Sequence, residues 1–364
     1  MDRMRIAVDA RPLEERPTGV GRYLEGLLTA WLRERAEDSF VLLSPRRVFL
    51  PPSLEGRVAL APSLGLPGTL WLQTAAGPAA RRAGADAFFG CLGIVPLAGG
   101  PPAVATVHDV TPLLFPEWHS FRNRLGFAPF IGASVRRARR IAAVSEHSRR
   151  DLVARFPDAA RKTVVVHNGV DIGPAPARGP APNEGRPYVL SLGTLEPRKN
   201  LPRLVEAMES IWDRRPDFPD LVLAGTEGWG LHGFSGRLVA SRHAARIRPA
   251  GYLAGDDRAR WMAGARVFAY PSLYEGFGFP PLEAMALGTP VVASSASSLP
   301  EVVGDAGLLP DPEDAAAIAR AIERAHDDEE FRRAAAVNGP ARAALFTWAG
   351  AARKMRTLFE EALS

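Results

Sequence analysis

The sequence of 364 residues predicts two α/β domains, each with a parallel sheet covered by helices. Apolar runs suited to buried strands alternate with helix-period segments along almost the whole chain, which is typical of α/β folds. The length exceeds that of one typical domain, about 100–200 residues. A segment rich in proline and glycine interrupts the alternation near the middle of the chain, and this composition is typical of linkers.

The first predicted domain comprises residues 1–172. Its strands correspond to seven apolar runs: RIAVDA, SFVLLS, RVALAP, ADAFFG, AVATVHD, RIAAVS and TVVVHNG. Helical patterns such as GRYLEGLLTAWLRERA and EHSRRDLVARF lie between them. Ser145 stands directly before the second of these patterns, where a serine side chain is a natural N-cap, so we interpret that segment as mainly structural.

Residues 173–187 form the predicted linker, because five prolines and three glycines occur within 172–187 without an apolar period. The second domain, residues 188–345, restarts the alternation with runs such as YVLSLG, LVLAG and RVFAYPS. Residues 346–364 are predicted to be a C-terminal helix, with packing back toward the first domain as one arrangement. A cleft between two open α/β domains is the expected ligand site.

Composition and charge narrow the class of protein. A single cysteine, Cys91, excludes an internal disulfide framework. The N-terminus lacks the apolar segment of a secretory signal, and prolines interrupt the uncharged segments 58–80 and 87–107, so we expect a cytoplasmic protein without a transmembrane anchor. The net charge of +5 suits anionic partners such as nucleotides, whereas dispersed arginines argue against a nucleic-acid-binding face.

A basic and aromatic segment, residues 120–140, has two interpretations. Its apolar members are Phe121, Phe127, Phe130 and Ile131, and its basic members are Arg122, Arg124, Arg136, Arg137, Arg139 and Arg140. The segment is suited to peripheral contact with an anionic membrane surface, on the inner face of the membrane. A solvated helix that ends near a buried strand explains the arginines equally well, and Gly126, Pro129 and Gly132 argue against a long regular helix.

The segment 270–294, YPSLYEGFGFPPLEAMALGTPVVAS, predicts a strand, a tight loop, a short helix and another strand. Gly288 is expected at the C′ position of the helix. Pro280 or Pro281 is expected at its first position, where a missing N–H costs nothing, which places Glu283 in the first turn. Gly276 and Gly278 flank Phe277 in the loop, and glycine there lets backbone N–H groups approach a ligand closely.

Two carboxylates belong to this segment, Glu275 and Glu283. A carboxylate beside a helix N-terminus would repel a phosphate, so Glu283 is predicted to accept hydrogen bonds from a diol such as ribose. Glu275 is predicted to accept sugar hydroxyls in the same way. The structural alternatives are a capping or dipole role for Glu283 and a solvated loop position for Glu275, and the pattern alone leaves both pairs of alternatives open.

Arg198 and Lys199 follow the predicted strand YVLS in the segment LGTLEPRKNL. Two cations at the carboxyl end of a strand are suited to a diphosphate, and they would neutralise charge that develops on a leaving nucleotide. Simple solvation is the alternative, although the start of a helix is the wrong end for dipole complementarity. Lys199 is also one of only three lysines among 45 basic residues, which points to a need for a compact charge.

The sequence contains no Asp-x-Asp pair, His-Glu-x-x-His motif or Cys-x-x-Cys motif, so we expect neither a metal nor another cofactor. The segment ARPLEERPTGVGRYLEGL has Gly19 and Gly21, predicted to supply flexibility near the ligand. It does not complete G-x-G-x-x-G, because Leu24 holds the place of the third glycine, which argues against a dehydrogenase. His108 and Asp109 follow the strand run AVATV, although a lone histidine is more often structural.

The segment EGFGFPPLEAMALGTPVVAS resembles the retaining glycosyltransferases of family 4, whose signature is two glutamates separated by seven residues, as in Glu275 and Glu283. The resemblance covers nearly the whole chain through TVHDVTPLLFPEWHS, AVSEHSRRDL, HNGVD, LGTLEPRKNL and SLPEVVGDAGLLPDPED. It implies the α/β fold termed GT-B, in which two Rossmann-like domains face each other across a cleft. It also implies metal-independent transfer of a hexose from a nucleotide diphosphate sugar to an acceptor hydroxyl, in glycan or glycolipid synthesis.

The resemblance also assigns roles to single residues. It makes Lys199 the phosphate-binding lysine, with Arg198 as the substitute for an arginine that the family often has at the position of Thr194. It places Leu253 against the base. The catalytic candidates are His108, which would touch the donor sugar, Asp109, which would orient the acceptor or its loop, and Glu275. The donor-binding candidates are Gly19, Gly21, Thr194, Arg198, Lys199, Leu253, Glu275, Gly276, Phe277, Gly278 and Glu283.

The segments GTLEPRKN and HDVTPLLFPEWHS resemble bacterial mannosyltransferases of surface polysaccharide assembly. GDP-mannose is therefore the first candidate for the donor, with a UDP-sugar as the other nucleotide class and a glycan or glycolipid as the acceptor. Two alternatives stay open: a GT-B sugar-nucleotide epimerase, and a sugar-nucleotide-binding protein without catalytic activity.

Overall fold

The computed structural model describes residues 3–14, 19–61, 66, 68–119, 126–171, 182–226, 228, 234–253 and 255–364. The chain divides into two compact units. The first comprises Met1–Gly169 together with Phe346–Ser364, and the second comprises Val170–Leu345. Each unit is built on one parallel sheet, so the predicted α/β class is confirmed. Most of the predicted linker, residues 173–181, lies outside the described residues.

The first unit has seven strands in the order β3-β2-β1-β4-β5-β6-β7. They are β1 Arg5–Asp9, β2 Ser39–Leu43, β3 Ala59–Leu60, β4 Ala87–Gly90, β5 Ala103–Val107, β6 Arg140–Ala143 and β7 Thr163–Val165. All residues of β4 and β5 are buried, because helices cover both faces of such a sheet, and this explains the continuous apolar runs. The strand order reverses between β1 and β4, which is the topological switch point of a doubly wound sheet.

The helices of the first unit are α1 Gly19–Glu34, α2 Gly68–Trp71, α3 Gly77–Arg82, α4 Thr111–Leu114, α5 Ala128–Arg137 and α6 Glu146–Arg155. Ser145 is the N-cap of α6, and its hydroxyl accepts a hydrogen bond from the Ser148 backbone N–H at 3.0 Å. The predicted cap is therefore confirmed. Such caps stabilise a helix by about 1 kcal/mol.

The second unit has five strands in the order β10-β9-β8-β11-β12. They are β8 Tyr188–Leu192, β9 Asp220–Ala224, β10 Ile247–Gly251, β11 Val267–Tyr270 and β12 Val291–Ala293. The helices are α7 Leu201–Arg214, α8 Phe234–Ala240, α9 Gly255–Gly264, α10 Phe279–Ala286, α11 Leu299–Val303, α12 Ala315–Asp327 and α13 Glu329–Ala343. The strand order reverses between β8 and β11, so the carboxyl ends of these two strands mark the expected ligand position.

The last helix, α14 Trp348–Leu363, belongs to the first unit and packs against α1. A Cβ atom at Gly26 of α1 would lie 2.3 Å from the Trp348 ring, so only glycine admits the indole there. Arg356 donates to the Asp38 carboxylate at 3.0 Å, and the Trp31 indole donates to the same oxygen at 2.8 Å. Aromatic packing and a buried acceptor therefore attach the C-terminal helix to the first sheet.

The described part of the basic and aromatic segment contains α5. Ile131 is buried, and Phe127 and Phe130 pack half-buried against the core of the first unit. Core packing therefore accounts for these apolar side chains, whereas Phe121, Arg122 and Arg124 lie outside the described residues. No helix in the described part of the chain is both long and apolar enough to span a membrane.

Candidate active site

The two strands at the switch point of the second sheet each lead into a polar loop. After β8 the chain forms a short 3-10 turn, Pro197–Lys199, directly before α7. Asn200 adopts a left-handed conformation between them, with φ of 57°, and its side-chain amide donates to the carbonyl oxygens of Pro271 and Pro312 at 3.1 and 2.7 Å. The first bond attaches the loop after β8 to the loop after β11, and the second attaches it to the segment between β12 and α12.

A cluster of five polar side chains occupies this position, and we term Glu196, Arg198, Lys199, Tyr270 and Glu275 the charge cluster. Glu275 is 6% exposed and lies between the two cations. Its Oε1 atom is 2.6 Å from Lys199 Nζ, and its Oε2 atom is 2.6 Å from Arg198 Nη1. Lys199 Nζ also donates to the Tyr270 hydroxyl at 2.5 Å, and Arg198 Nε is 2.5 Å from Glu196 Oε1.

The charge cluster shifts the titration of its members. Burial raises the pKa of Glu275, but the adjacent Arg198 and Lys199 outweigh this effect and hold the pKa at about 2. Burial and the nearby Arg198 guanidinium lower the pKa of Lys199, and together they outweigh Glu275 and Glu196, which raise it. Burial, followed by the charge of Glu275, raises the pKa of Tyr270. At neutral pH the cluster therefore contains an ionised Glu275 and a neutral phenol.

The predicted residues Arg198, Lys199 and Glu275 are thus brought together, although the sequence assigned them to different parts of a ligand. Tyr270 and Glu196 were not predicted. The only local signals for these two residues are a hydroxyl at the end of an apolar strand, for Tyr270, and an acidic side chain within the basic segment LEPRKN, for Glu196. A small recess beside the cluster is lined by Thr194, Lys199 and Tyr270 among other residues.

The loop after β11 is held by serine side chains. The Glu275 backbone N–H donates to the Ser297 hydroxyl at 2.9 Å. The Ser298 hydroxyl lies 2.9 Å from the Glu275 carbonyl and 2.7 Å from the Phe277 carbonyl. Gly276, Phe277 and Gly278 are all buried. The loop is therefore rigidly supported, as a ligand-binding backbone requires.

Gly278 has φ of 113°, and an added Cβ atom would lie 2.7 Å from the Leu299 side chain. We expect Gly278→Ala to destabilise the second unit by about 1–3 kcal/mol and to raise the KM for the nucleotide sugar that the resemblance implies, because the backbone conformation is strained for alanine. Chemical denaturation and steady-state kinetics measure the two effects. Gly236→Ala is the matched control, since no atom lies within 4 Å of an added Cβ in that helix; equal stability of the two variants would contradict the argument.

Glu283 lies in the second turn of α10, so its predicted place in the first turn was wrong. The helix begins earlier than predicted because the left-handed Gly278 is the N-cap and Phe279 takes the first position. The Glu283 carboxylate is paired with Arg258 of α9, whose Nε atom donates to Oε2 at 3.1 Å and whose Nη2 atom contacts the same oxygen. The predicted end of the helix is confirmed, since Gly288 follows the Leu287 C-cap with φ of 73°.

Leu253 is half-buried and stands two residues after Gly251, the last residue of β10. Strand β10 lies at the edge of the sheet, which allows Pro249 within it because an edge strand has an unpaired side. The neighbour Ala254 lies outside the described residues. Contact of Leu253 with a base stays a prediction.

In the first unit, His108 follows β5 directly. Its Nε2 atom is 2.9 Å from the Cys91 carbonyl oxygen, and the Tyr23 ring lies edge-on at 4.9 Å between centroids. Burial lowers the pKa of His108, against the opposing effects of the Cys91 carbonyl and Asp109. Because a carbonyl oxygen only accepts, Nε2 carries the proton of the neutral ring.

The Asp109 side chain forms hydrogen bonds with a residue two positions further along the chain. Its Oδ1 atom accepts from the Thr111 backbone N–H at 3.0 Å and from the Thr111 hydroxyl at 2.6 Å, at the start of α4. Gly19 and Gly21 lie in the first turn of α1, which corrects the expectation of a flexible stretch at these two glycines. The preceding residues 15–18 lie outside the described residues. The predicted ligand contacts of His108, Asp109, Gly19 and Gly21 stay predictions.

Within the described ranges, no group of three or more His, Cys, Asp or Glu side chains is arranged to hold a metal ion.

Two family models match the chain and together cover most of it. The model described as Glycosyltransferase Family 4 matches residues 17–173, and the model described as Glycosyl transferases group 1 matches residues 177–342. O-antigen chain mannosyltransferase B of Escherichia coli is 36% identical over 258 residues, with 68% of this chain and 67% of the relative covered. The chain matches only 20% of the length of another Escherichia coli relative, the serotype-specific mannosyltransferase WbdA.

A second relative and two solved structures agree with this result. MMP alpha-(1->4)-mannosyltransferase of Mycolicibacterium hassiacum is 30% identical, with 82% of this chain and 76% of the relative covered. Anabaena HepE in complex with UDP and glucose has a TM-score of 0.71 at 22% identity, covering 98% of this chain and 99% of that one. Sucrose-phosphate synthase of Thermosynechococcus elongatus has a TM-score of 0.74 at 20% identity, with 98% of both chains covered. The chain therefore belongs to glycosyltransferase family 4 and is a glycosyltransferase of the GT-B fold.

Proposed function

We propose that the enzyme transfers mannose from GDP-mannose to a hydroxyl of a polysaccharide or glycolipid acceptor and retains the anomeric configuration. The charge cluster at the switch point is the observation that carries this proposal, because it combines two cations with a carboxylate at the carboxyl ends of β8 and β11. The names of both relatives support mannose, and the O-antigen chain in the name of the Escherichia coli relative supports a polysaccharide acceptor.

Arg198 and Lys199 are assigned to the donor diphosphate. Both are already hydrogen-bonded to Glu275, and Arg198 is also paired with Glu196. Two carboxylates thus balance two cations before any further anion arrives. The diphosphate would compete with Glu275 for these N–H donors. The Glu275 oxygens that lose a donor in this way would then accept hydrogen bonds from hydroxyls of the sugar, since an ionised carboxylate offers about four lone-pair sites.

Glu275 is poorly suited to proton transfer. Its pKa is about 2, so the side chain is ionised at neutral pH and has no proton to donate. Each of its oxygens is hydrogen-bonded to a cation, which also reduces its strength as a nucleophile. We therefore assign it to sugar binding, and we infer front-face departure and attack in which the leaving phosphate assists the acceptor hydroxyl.

The remaining donor contacts follow the same arrangement. Glu283 would accept the ribose hydroxyls, Leu253 would line the base, and the buried backbone at Gly276, Phe277 and Gly278 would complete the pocket. Thr194 lines the same recess as Lys199, so a threonine hydroxyl stands where the family often has an arginine. The proposal includes no metal or other cofactor, because Arg198 and Lys199 would donate charge-assisted hydrogen bonds to the leaving group once the diphosphate replaces Glu275 as their acceptor.

The donor is tested by thermal unfolding and slow donor hydrolysis with GDP-mannose, GDP-fucose, UDP-glucose and UDP-N-acetylglucosamine. With all four donors at the same concentration, we expect GDP-mannose to stabilise the protein most, by about 2.7 kcal/mol if that concentration is 100 times the Kd of GDP-mannose. A larger effect from a UDP-sugar would contradict the choice of GDP-mannose but not glycosyl transfer. An isomerised donor without an acceptor product would indicate an epimerase. Binding of the donor without loss of its sugar would indicate a non-catalytic binding protein. Stabilisation by none of the four nucleotide sugars would contradict the proposal as a whole.

A further inference from the structure

Glu283 of α10 is paired with Arg258, a residue of the preceding helix α9. Arg258 projects from α9 and contacts Oε2 of Glu283 through two nitrogens, Nε at 3.1 Å and Nη2 at a shorter distance. The two side chains are only 16% and 13% exposed. Two donors from one planar guanidinium fix the position of this carboxylate oxygen and restrict the rotation of the glutamate side chain.

We propose that Arg258 is a positioning residue for nucleotide recognition, which holds the Glu283 carboxylate in the orientation that accepts the ribose hydroxyls. The inference rests on the proposed function, in which Glu283 binds ribose. A glutamate side chain has several rotatable bonds, and immobilising it only when ligand binds costs conformational entropy. Arg258 immobilises the glutamate already in the folded protein, so this entropy is not lost when the ligand binds. Arg258 therefore increases the affinity for the ribose hydroxyls without contacting them.

The position of Arg258 along the chain supports this role. Leu253, assigned to the base, is followed within two residues by α9, Gly255–Gly264. The segment after β10 therefore contains both Leu253, the predicted base contact, and Arg258, which orients the glutamate that binds ribose. Because Arg258 lies near the start of α9 and only five positions after Leu253, a movement of this segment would change the base and ribose contacts together.

Arg258 could instead serve only to attach α9 to α10. The structure offers other attachments for α9: Met262 is buried, and its carbonyl accepts from the Thr289 hydroxyl at 2.8 Å. The helix therefore does not depend on Arg258 alone for its position. We expect Arg258→Gln to fold, which makes its effect on binding measurable.

The test compares GDP and UDP with their 2′,3′-dideoxy forms by calorimetry, using the full chain. For the base that binds, the wild type is expected to prefer the ribose form roughly 10-fold. Glu283→Ala and Arg258→Gln should both reduce this preference to below about threefold, with similar affinity for the dideoxy form, and Arg258→Lys should be intermediate because a lysine lacks the planar fork. Arg260→Gln is the matched control on the same helix, where Arg260 pairs with Asp257, and it should keep the wild-type preference.

The two levels of the proposal fail differently. If Glu283→Ala keeps the wild-type preference, then Glu283 does not bind ribose, and both the ribose assignment and the role of Arg258 are wrong. If Glu283→Ala loses the preference while Arg258→Gln keeps it, then Arg258 only attaches two helices, and the ribose assignment stands. Loss of the preference with Arg260→Gln as well would show a general disturbance of α9 and would overturn the specific role of Arg258.

Discussion

Lys199→Met is expected to reduce kcat/KM for the nucleotide sugar by roughly 10²–10³-fold, the loss that follows removal of one preorganised donor to developing charge. Lys199 is 8% exposed, and its ammonium contacts Glu275 and Tyr270 at 2.6 and 2.5 Å. Its charge is therefore held at one position rather than averaged over a mobile side chain. Methionine keeps much of the length and volume and removes only the charge and its hydrogen bonds. Steady-state kinetics with the best donor of the panel measures the loss.

Stability has to be separated from catalysis in this experiment. Removal of one partner from a buried pair costs about 3–5 kcal/mol, although Arg198 continues to compensate Glu275. The double variant Lys199→Met, Glu275→Gln removes both members, so it should recover part of the stability lost in Lys199→Met while activity stays low. Lys354→Met, at an exposed lysine of α14, is the control and should leave both properties unchanged. A folded Lys199→Met variant with turnover within about threefold of wild type would contradict the phosphate assignment.

Much of the fold could be predicted because its signals are local. Strands buried on both faces need continuous apolar runs, such as the AVATV of β5. The cap at Ser145 and the helix end at Gly288 follow from the backbone geometry that serine and glycine favour at these positions. The start of α10 was misplaced because two prolines suggested the first position, whereas a left-handed glycine two residues before Pro280 sets it. Strand order depends on contacts between distant segments and was not predicted.

In the site, too, local features could be predicted from the sequence and contacts between distant segments could not. Arg198, Lys199 and Glu275 could be singled out, since charged residues at strand ends and a rare lysine are visible in the sequence. That they bind one another could not, because Lys199 and Glu275 are 76 positions apart and meet only through the adjacency of β8 and β11. The same reason hid Tyr270. Arg258 could not be singled out either, because the sequence is rich in arginine and nothing local distinguishes this arginine from the others.

Glu275→Gln is expected to remove a pH-dependent part of the stability of the second unit. In the folded protein the pKa of Glu275 is about 2, because Arg198 and Lys199 outweigh the effect of burial, whereas an unfolded glutamate titrates near 4.3. A depressed pKa in the folded state contributes stability that is complete above the unfolded pKa and is lost as the pH falls toward the folded pKa. The contribution should amount to roughly 3 kcal/mol at pH 6 and approach zero near pH 2.

Urea unfolding of the wild type and Glu275→Gln between pH 6 and pH 2, with the two units fitted as separate transitions, measures this difference. The wild type should be more stable at pH 6, and the two curves should converge between about pH 4.5 and pH 2, because the wild-type glutamate becomes protonated and then resembles glutamine. Glu313→Gln, at an exposed glutamate of the same unit, should follow the wild type throughout. Parallel curves for wild type and Glu275→Gln would mean that Glu275 is not held ionised by its two cations. In that case a protonated Glu275 would be available as an acid, and the assignment of this residue to sugar binding rather than proton transfer would lose its basis.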